Sequence, residues 1–156
     1  MWIIYAFLSA IFAALVAIFG KVGLNNVDST LATTVRSIIM AVFLILVTVT
    51  MVATKKTDLN FSSFSGKAWL FITLSGIAGA LSWLFYFLAI KLGLVGPVAA
   101  IDRTSIIFVV VLSALFLGEA FTWRAGLGAL FIAIGAFLIS ANSEFINQIL
   151  TFLRVK

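Results

Sequence analysis

Apolar runs of membrane length, separated by short polar breaks, set the pattern of this chain. A helix crossing a bilayer needs about 20 apolar residues, and five segments qualify. The first runs from Trp2 to Gly20 without a charge and is closed by Lys21. The second runs from about Thr30 to Ala53, behind the capping signal Asp28-Ser29-Thr30, and contains Arg36. The third, Ala68 to Ile90, is again uncharged and ends at Lys91. The fourth begins near Pro97, a residue suited to a first helical turn, and ends at Gly118-Glu119. The fifth runs from about Ala125 to Ala141. The expected fold class is therefore an all-α membrane protein with five transmembrane helices in one domain, residues 1–141. The tail 142–156, "EFINQILTFLRVK" for most of its length, spaces its apolar residues as an amphipathic interfacial segment does.

Composition agrees. The chain of 156 residues is 64% hydrophobic and 10% charged, with a mean hydropathy of +1.30; soluble domains average about 45–50% apolar. Small residues recur at packing intervals: Ala6, Ala10, Ala13 and Ala17 in the first span, Ser75 and Gly79 in the third, and Ala125, Ala129 and Ala133 in the fifth. Such stripes let helix backbones approach closely in lipid and carry no chemistry. The N-terminus has neither a basic region nor a small-residue cleavage site, so the first segment reads as a retained span.

Charge places the protein without giving it an obvious direction. The net charge is +5, ten Lys or Arg against five acids. The cations fall mostly at the ends of apolar runs, where they face lipid headgroups rather than a nucleic acid. With five spans, Lys55, Lys56, Lys67 and Arg124 share one side of the membrane, and Lys21, Lys91, Arg154 and Lys156 the other. The positive-inside rule compares those sets, and four against four decides nothing. Either the protein inserts in both orientations, the favoured expectation, or a feature outside the rule decides. Trp2, Trp69 and Trp123 form an aromatic belt at helix ends, whereas Trp83 lies mid-helix, either as packing or as a cavity wall with Tyr86 one turn away.

Three charges lie within spans: Arg36, Asp102 and Arg103. Each costs about 2.5–3.5 kcal/mol on insertion scales and is a functional candidate by default. At about 1.5 Å per residue, Arg36 and Asp102 lie roughly 10 and 8 Å below their helix starts, in one leaflet, where they can pair. Asp102 and Arg103 stand about 100° apart on a helix, so Arg103 faces another sector. Both arginines are also within snorkelling reach of the interface. Thr33, Thr34, Ser37, Thr104 and Ser105 add hydroxyls at similar depth. With no histidine and no cysteine in the chain, proton coupling through a carboxylate would fall on Asp102 or, less deeply placed, Glu119. The residues offer no paired acids, no serine with a base and no metal-ligand cluster, so neither an enzyme nor a cofactor is expected.

"FAALVAIFGKVGL", "STLATTVRSII", "SGIAGALSWLFYFLAIKLG", "PVAAIDRTSIIFVVVLSALFLGE" and "GLGALFIAIGAFLIS" together resemble a single repeat of the EamA type, in the drug/metabolite transporter superfamily. The resemblance covers roughly residues 1–141. It implies one half of an inverted-repeat transporter, since members usually carry ten helices as two inverted five-helix repeats around a central cavity. A second, antiparallel copy would restore that arrangement. Small multidrug-resistance exporters are similar in logic, but typically have four helices and an acid in the first, which this chain lacks.

Together these features predict a secondary transporter of a small organic solute, an antiparallel homodimer in a prokaryotic-type plasma membrane. Its polar core would be Arg36, Asp102 and Arg103 with Thr33 and Ser37, and Trp83 and Tyr86 would line the cavity. A non-transporting membrane subunit whose charges only lock helices together, and a flippase for a lipid-linked substrate, are the alternatives.

Overall fold

Helix ends in this chain are set by local chemistry that the sequence already displays. In a computed structural model, which describes residues 2–60 and 63–141, Asp28 is the N-cap of the second helix. Its carboxylate accepts from the amides of Thr30 at 2.9 Å and Leu31 at 3.0 Å, satisfying donors that a helix start leaves orphaned. Thr122 does the same for the last helix, accepting from the Ala125 amide at 3.2 Å.

The helices are α1 (Trp2–Gly23), α2 (Ser29–Ala53), α3 (Gly66–Leu92), α4 (Val95–Asp102), α5 (Ser105–Leu112) and α6 (Trp123–Ser140), with a π-helical turn, Ser113–Leu117, following α5. All described regular structure is helical. Taking Val95–Leu117 as one span, five helices are long and apolar enough to cross a membrane. Most ends lie one to three residues outside the apolar runs, because flanking residues such as Lys67 and Lys91 continue the helical ladder. Gly118 closes the fourth span at φ +68°, a left-handed conformation glycine adopts without steric cost. The tail 142–156 lies outside the described residues.

The chain divides into two compact units, one formed by the described residues of 1–18 and 92–156, the other by Phe19–Lys91. In the first, α4 and α5 both pack against α6. Ala129, Ala136 and Ser140 of α6 are buried, and the Ser140 hydroxyl donates to the Pro97 carbonyl at 3.4 Å. In the second, two lysines tie helix ends together. Lys21 Nζ donates to the Ile90 carbonyl at 2.6 Å, and Lys91 Nζ to the Val27 carbonyl at 2.8 Å. The end of α3 is thereby held beside both the end of α1 and the start of α2. The outward faces carry large exposed apolar side chains, among them Phe43, Phe85, Phe116 and Phe131, a surface that lipid solvates and water does not.

Candidate functional site

Within Phe19–Lys91, the polar feature at mid-span is Arg36. Its guanidinium carbon lies 3.8 Å from the centroid of Trp83 and 5.1 Å from that of Phe87, inside the range of cation–π attraction. Trp83 and Phe87 are one turn apart on α3 and therefore share a face. Their centroids are 5.9 Å apart, and Tyr86 meets Trp83 edge-on at 5.6 Å. Phe87 is buried, while Trp83, Tyr86 and Arg36 are half-buried. Opposite Phe87 stands Gly20, where a Cβ would lie 2.8 Å from the Phe87 ring. The missing side chain lets that ring sit where it supports Arg36.

The hydroxyls near Arg36 turn inward to their own helix. Thr33 donates to the Ser29 carbonyl at 2.7 Å, Thr34 to Thr30 at 3.0 Å and Ser37 to Thr33 at 2.8 Å. Their protons are spent on carbonyls one turn back, so they can meet a solute only as acceptors. Among the described residues of this unit, no side chain or carbonyl accepts from Arg36.

The other two intramembrane charges lie in the other unit, where the fourth span is interrupted. Asp102 ends α4, and α5 resumes at Ser105. Between them the backbone tightens from α to 3₁₀ spacing. The Thr104 amide donates to Ile101 at 2.9 Å, Ile106 to Arg103 at 3.3 Å and Ile107 to Thr104 at 2.9 Å. The Thr104 hydroxyl also donates to the Ile101 carbonyl, at 2.6 Å. The Ile106 amide thus passes over the Asp102 carbonyl that an unbroken α ladder would give it. Asp102 and Thr104 are half-buried, and Arg103 is exposed. Irregular backbone at membrane depth is tolerated where it is buried in protein or lines an aqueous cavity, and a mid-helix 3₁₀ stretch often marks a hinge.

Five apolar helices, with Arg36 inside the second span and Asp102 and Arg103 inside the fourth, match a known family over nearly their whole length. The EamA-like transporter family covers residues 1–141. The chain belongs to that family. It is a membrane transporter, and its EamA character points to a small-molecule solute rather than to catalysis. A Sinorhizobium sp. protein described as an uncharacterized transporter in the cobO 3′ region is 42% identical over 139 residues, covering 89% of this chain and 96% of that protein. No solved structure matches the chain significantly.

The structure thus places Arg36, Trp83, Tyr86, Thr33 and Ser37 of this EamA chain in one unit, and Asp102 and Arg103 in the other. Phe87 is a neighbour that sequence reasoning passed over. Its four-residue spacing from Trp83 was the available signal. The interruption at residues 102–104 was missed too; four consecutive polar residues, Asp102 to Ser105, mark its place without deciding it. Threonine and serine hydroxyls compete for backbone carbonyls there.

Proposed function

We propose that this EamA chain is a secondary transporter that moves a small organic solute by alternating access, as an antiparallel homodimer in a prokaryotic plasma membrane. The interruption of the fourth span at Asp102–Thr104 carries this reading. A carboxylate and a turn of 3₁₀ backbone stand together in a segment otherwise built for lipid, and transporters commonly place solute and coupling sites at interrupted helices. Asp102 is the coupling carboxylate, Arg36 and Arg103 contact the solute, and Trp83 and Tyr86 wall the pathway. Five spans and the four-against-four cation balance support pairing with an inverted copy.

Two measurements test this. The purified chain, reconstituted into liposomes, is assayed for uptake of a panel of amino acids, nucleosides, organic cations and sugar phosphates. Saturable uptake of at least one is expected, and none at all would sink the transport reading. Tags on each terminus, probed from each side of the membrane, should both be reachable from both sides. One exclusive orientation overturns the antiparallel homodimer.

A further inference from the structure

We infer that Arg36 is an oxyanion subsite, taking a carboxylate or phosphate group against a wall formed by Trp83 and Phe87. This names the solute's chemical class for the pathway proposed above and rests on that reading.

Depth separates this role from snorkelling. Lys91 reaches the Val27 carbonyl, so the end of α3 and the start of α2 lie at one level. Counting from there, Phe87 is five residues and Trp83 nine residues inside the end at Leu92, about 8 and 14 Å. A guanidinium held against both rings lies between those levels, about 10 Å inside, which is also the depth of the Arg36 backbone. The side chain therefore runs sideways onto the rings instead of climbing to the headgroups, as a snorkelling arginine does.

The charge is also uncommitted within its unit. Asp28, nearer the membrane surface, is engaged in capping α2, and Asp58 lies beyond the far end of that helix. Among the described residues of Phe19–Lys91, no acceptor meets the guanidinium. Among the described residues no buried side-chain nitrogen or oxygen lacks a partner, so these unbonded nitrogens are open to an incoming group. A planar guanidinium lying against an aromatic face keeps its N–H fork in the plane, the geometry that matches carboxylate and phosphate oxygens two at a time. With the hydroxyls of Thr33 and Ser37 already donating to carbonyls, Arg36 is the charged donor among the residues that meet Trp83 and Phe87.

The test uses the full chain with Trp2, Trp69 and Trp123 replaced by Phe, leaving Trp83 as the fluorophore, in phosphatidylcholine vesicles. Benzoate and inorganic phosphate are the probes, and benzamide is the neutral control. Benzoate or phosphate should shift Trp83 emission saturably and benzamide should not. Arg36→Lys, which keeps the charge but loses the fork, should weaken the response by about tenfold or more, and Arg36→Gln should remove it. Size-exclusion profiles matching the parent establish that both variants are folded. A benzamide response equal to that of benzoate, or an unchanged response in a folded Arg36→Gln, overturns the subsite. A second set of vesicles contains phosphatidylglycerol. If that lipid alone produces the shift and blocks benzoate, the oxyanion comes from a headgroup and the subsite stands. Uptake of the solute panel into the same vesicles separates the two proposals. An Arg36-dependent response without any uptake keeps the subsite and defeats transport. Uptake of a solute that Arg36→Gln leaves unchanged does the reverse.

Discussion

Arg36 and the Asp102–Arg103 pair face the same energetic problem, a charge inside an apolar span, and the protein accommodates them in different ways. Around Arg36 the helix stays intact. Residues Ser29–Ala53 form one uninterrupted α-helix, and the neighbouring helix supplies aromatic faces for the cation. Around Asp102 the helix itself gives way, from α to 3₁₀ spacing across Arg103 and Thr104. A long, planar cation can reach a neighbour's rings. A short carboxylate cannot, and the hydroxyl that follows it captures a backbone carbonyl instead. The first arrangement suits a rigid contact for a solute and the second a segment that changes shape.

The comparison can be broken most directly at Asp102. Asp102→Asn should reduce solute uptake to background while leaving a folded protein and an intact Trp83 response to benzoate. Normal uptake would make the Asp102 charge dispensable, and loss of the Trp83 response as well would merge the two stations into one. A smaller effect is expected at Gly20. A Cβ there, 2.8 Å from Cε1 and 3.1 Å from Cζ of Phe87, forces the ring out of the position it holds beside Arg36. Gly20→Ala should destabilise the detergent-solubilised protein by about 1–3 kcal/mol, in the range of overpacked sites, and weaken the benzoate response. Gly79→Ala, with nothing within 4 Å, is the matched control and should do neither. An equal loss in both thermal melts would show that the aromatic support is not specific.

The smallest effect concerns Asp28. The Leu31 amide holds its carboxyl below the ordinary value of 3.8; desolvation opposes it, and the Thr30 amide and the charge of Lys91 add to the lowering. A lowered folded-state value means that the cap stabilises fully above the unfolded-state value, and that this contribution fades as pH falls below about 3.8 through the folded-state value. Because the group is exposed, the change should be slight. Asp28→Ala should lower the melting temperature modestly at neutral pH and flatten the acid limb. Asp28→Asn, still able to cap, should keep the melting temperature while losing the pH dependence. An acid limb unchanged in Asp28→Asn would assign it to another group.

Much of the fold was legible because the bilayer enforces one-dimensional rules. Span length, capping residues and the end glycine follow from hydrocarbon thickness and from backbone groups that must be satisfied locally. Asp28 and Gly118 act where their residue types place them. The candidate site was legible only as a set of names. Arg36, Trp83 and Tyr86 stand out in the sequence as polar or aromatic residues in mid-span, but their spacing along the chain says nothing of which helix faces meet.

By itself, then, the sequence determined five membrane-length helices, most of their ends and the short roster of charges inside them, since each depends on neighbours a few residues away. Only the tertiary structure decided that Arg36 rests on Trp83 and Phe87, and that Lys21 and Lys91 hold helix ends through carbonyls more than sixty residues distant in the chain. It also decided that the fourth span breaks at Asp102. The first two depend on helix faces brought together from remote parts of the chain. The third depends on a near-balanced choice between two backbone ladders, which composition alone does not resolve.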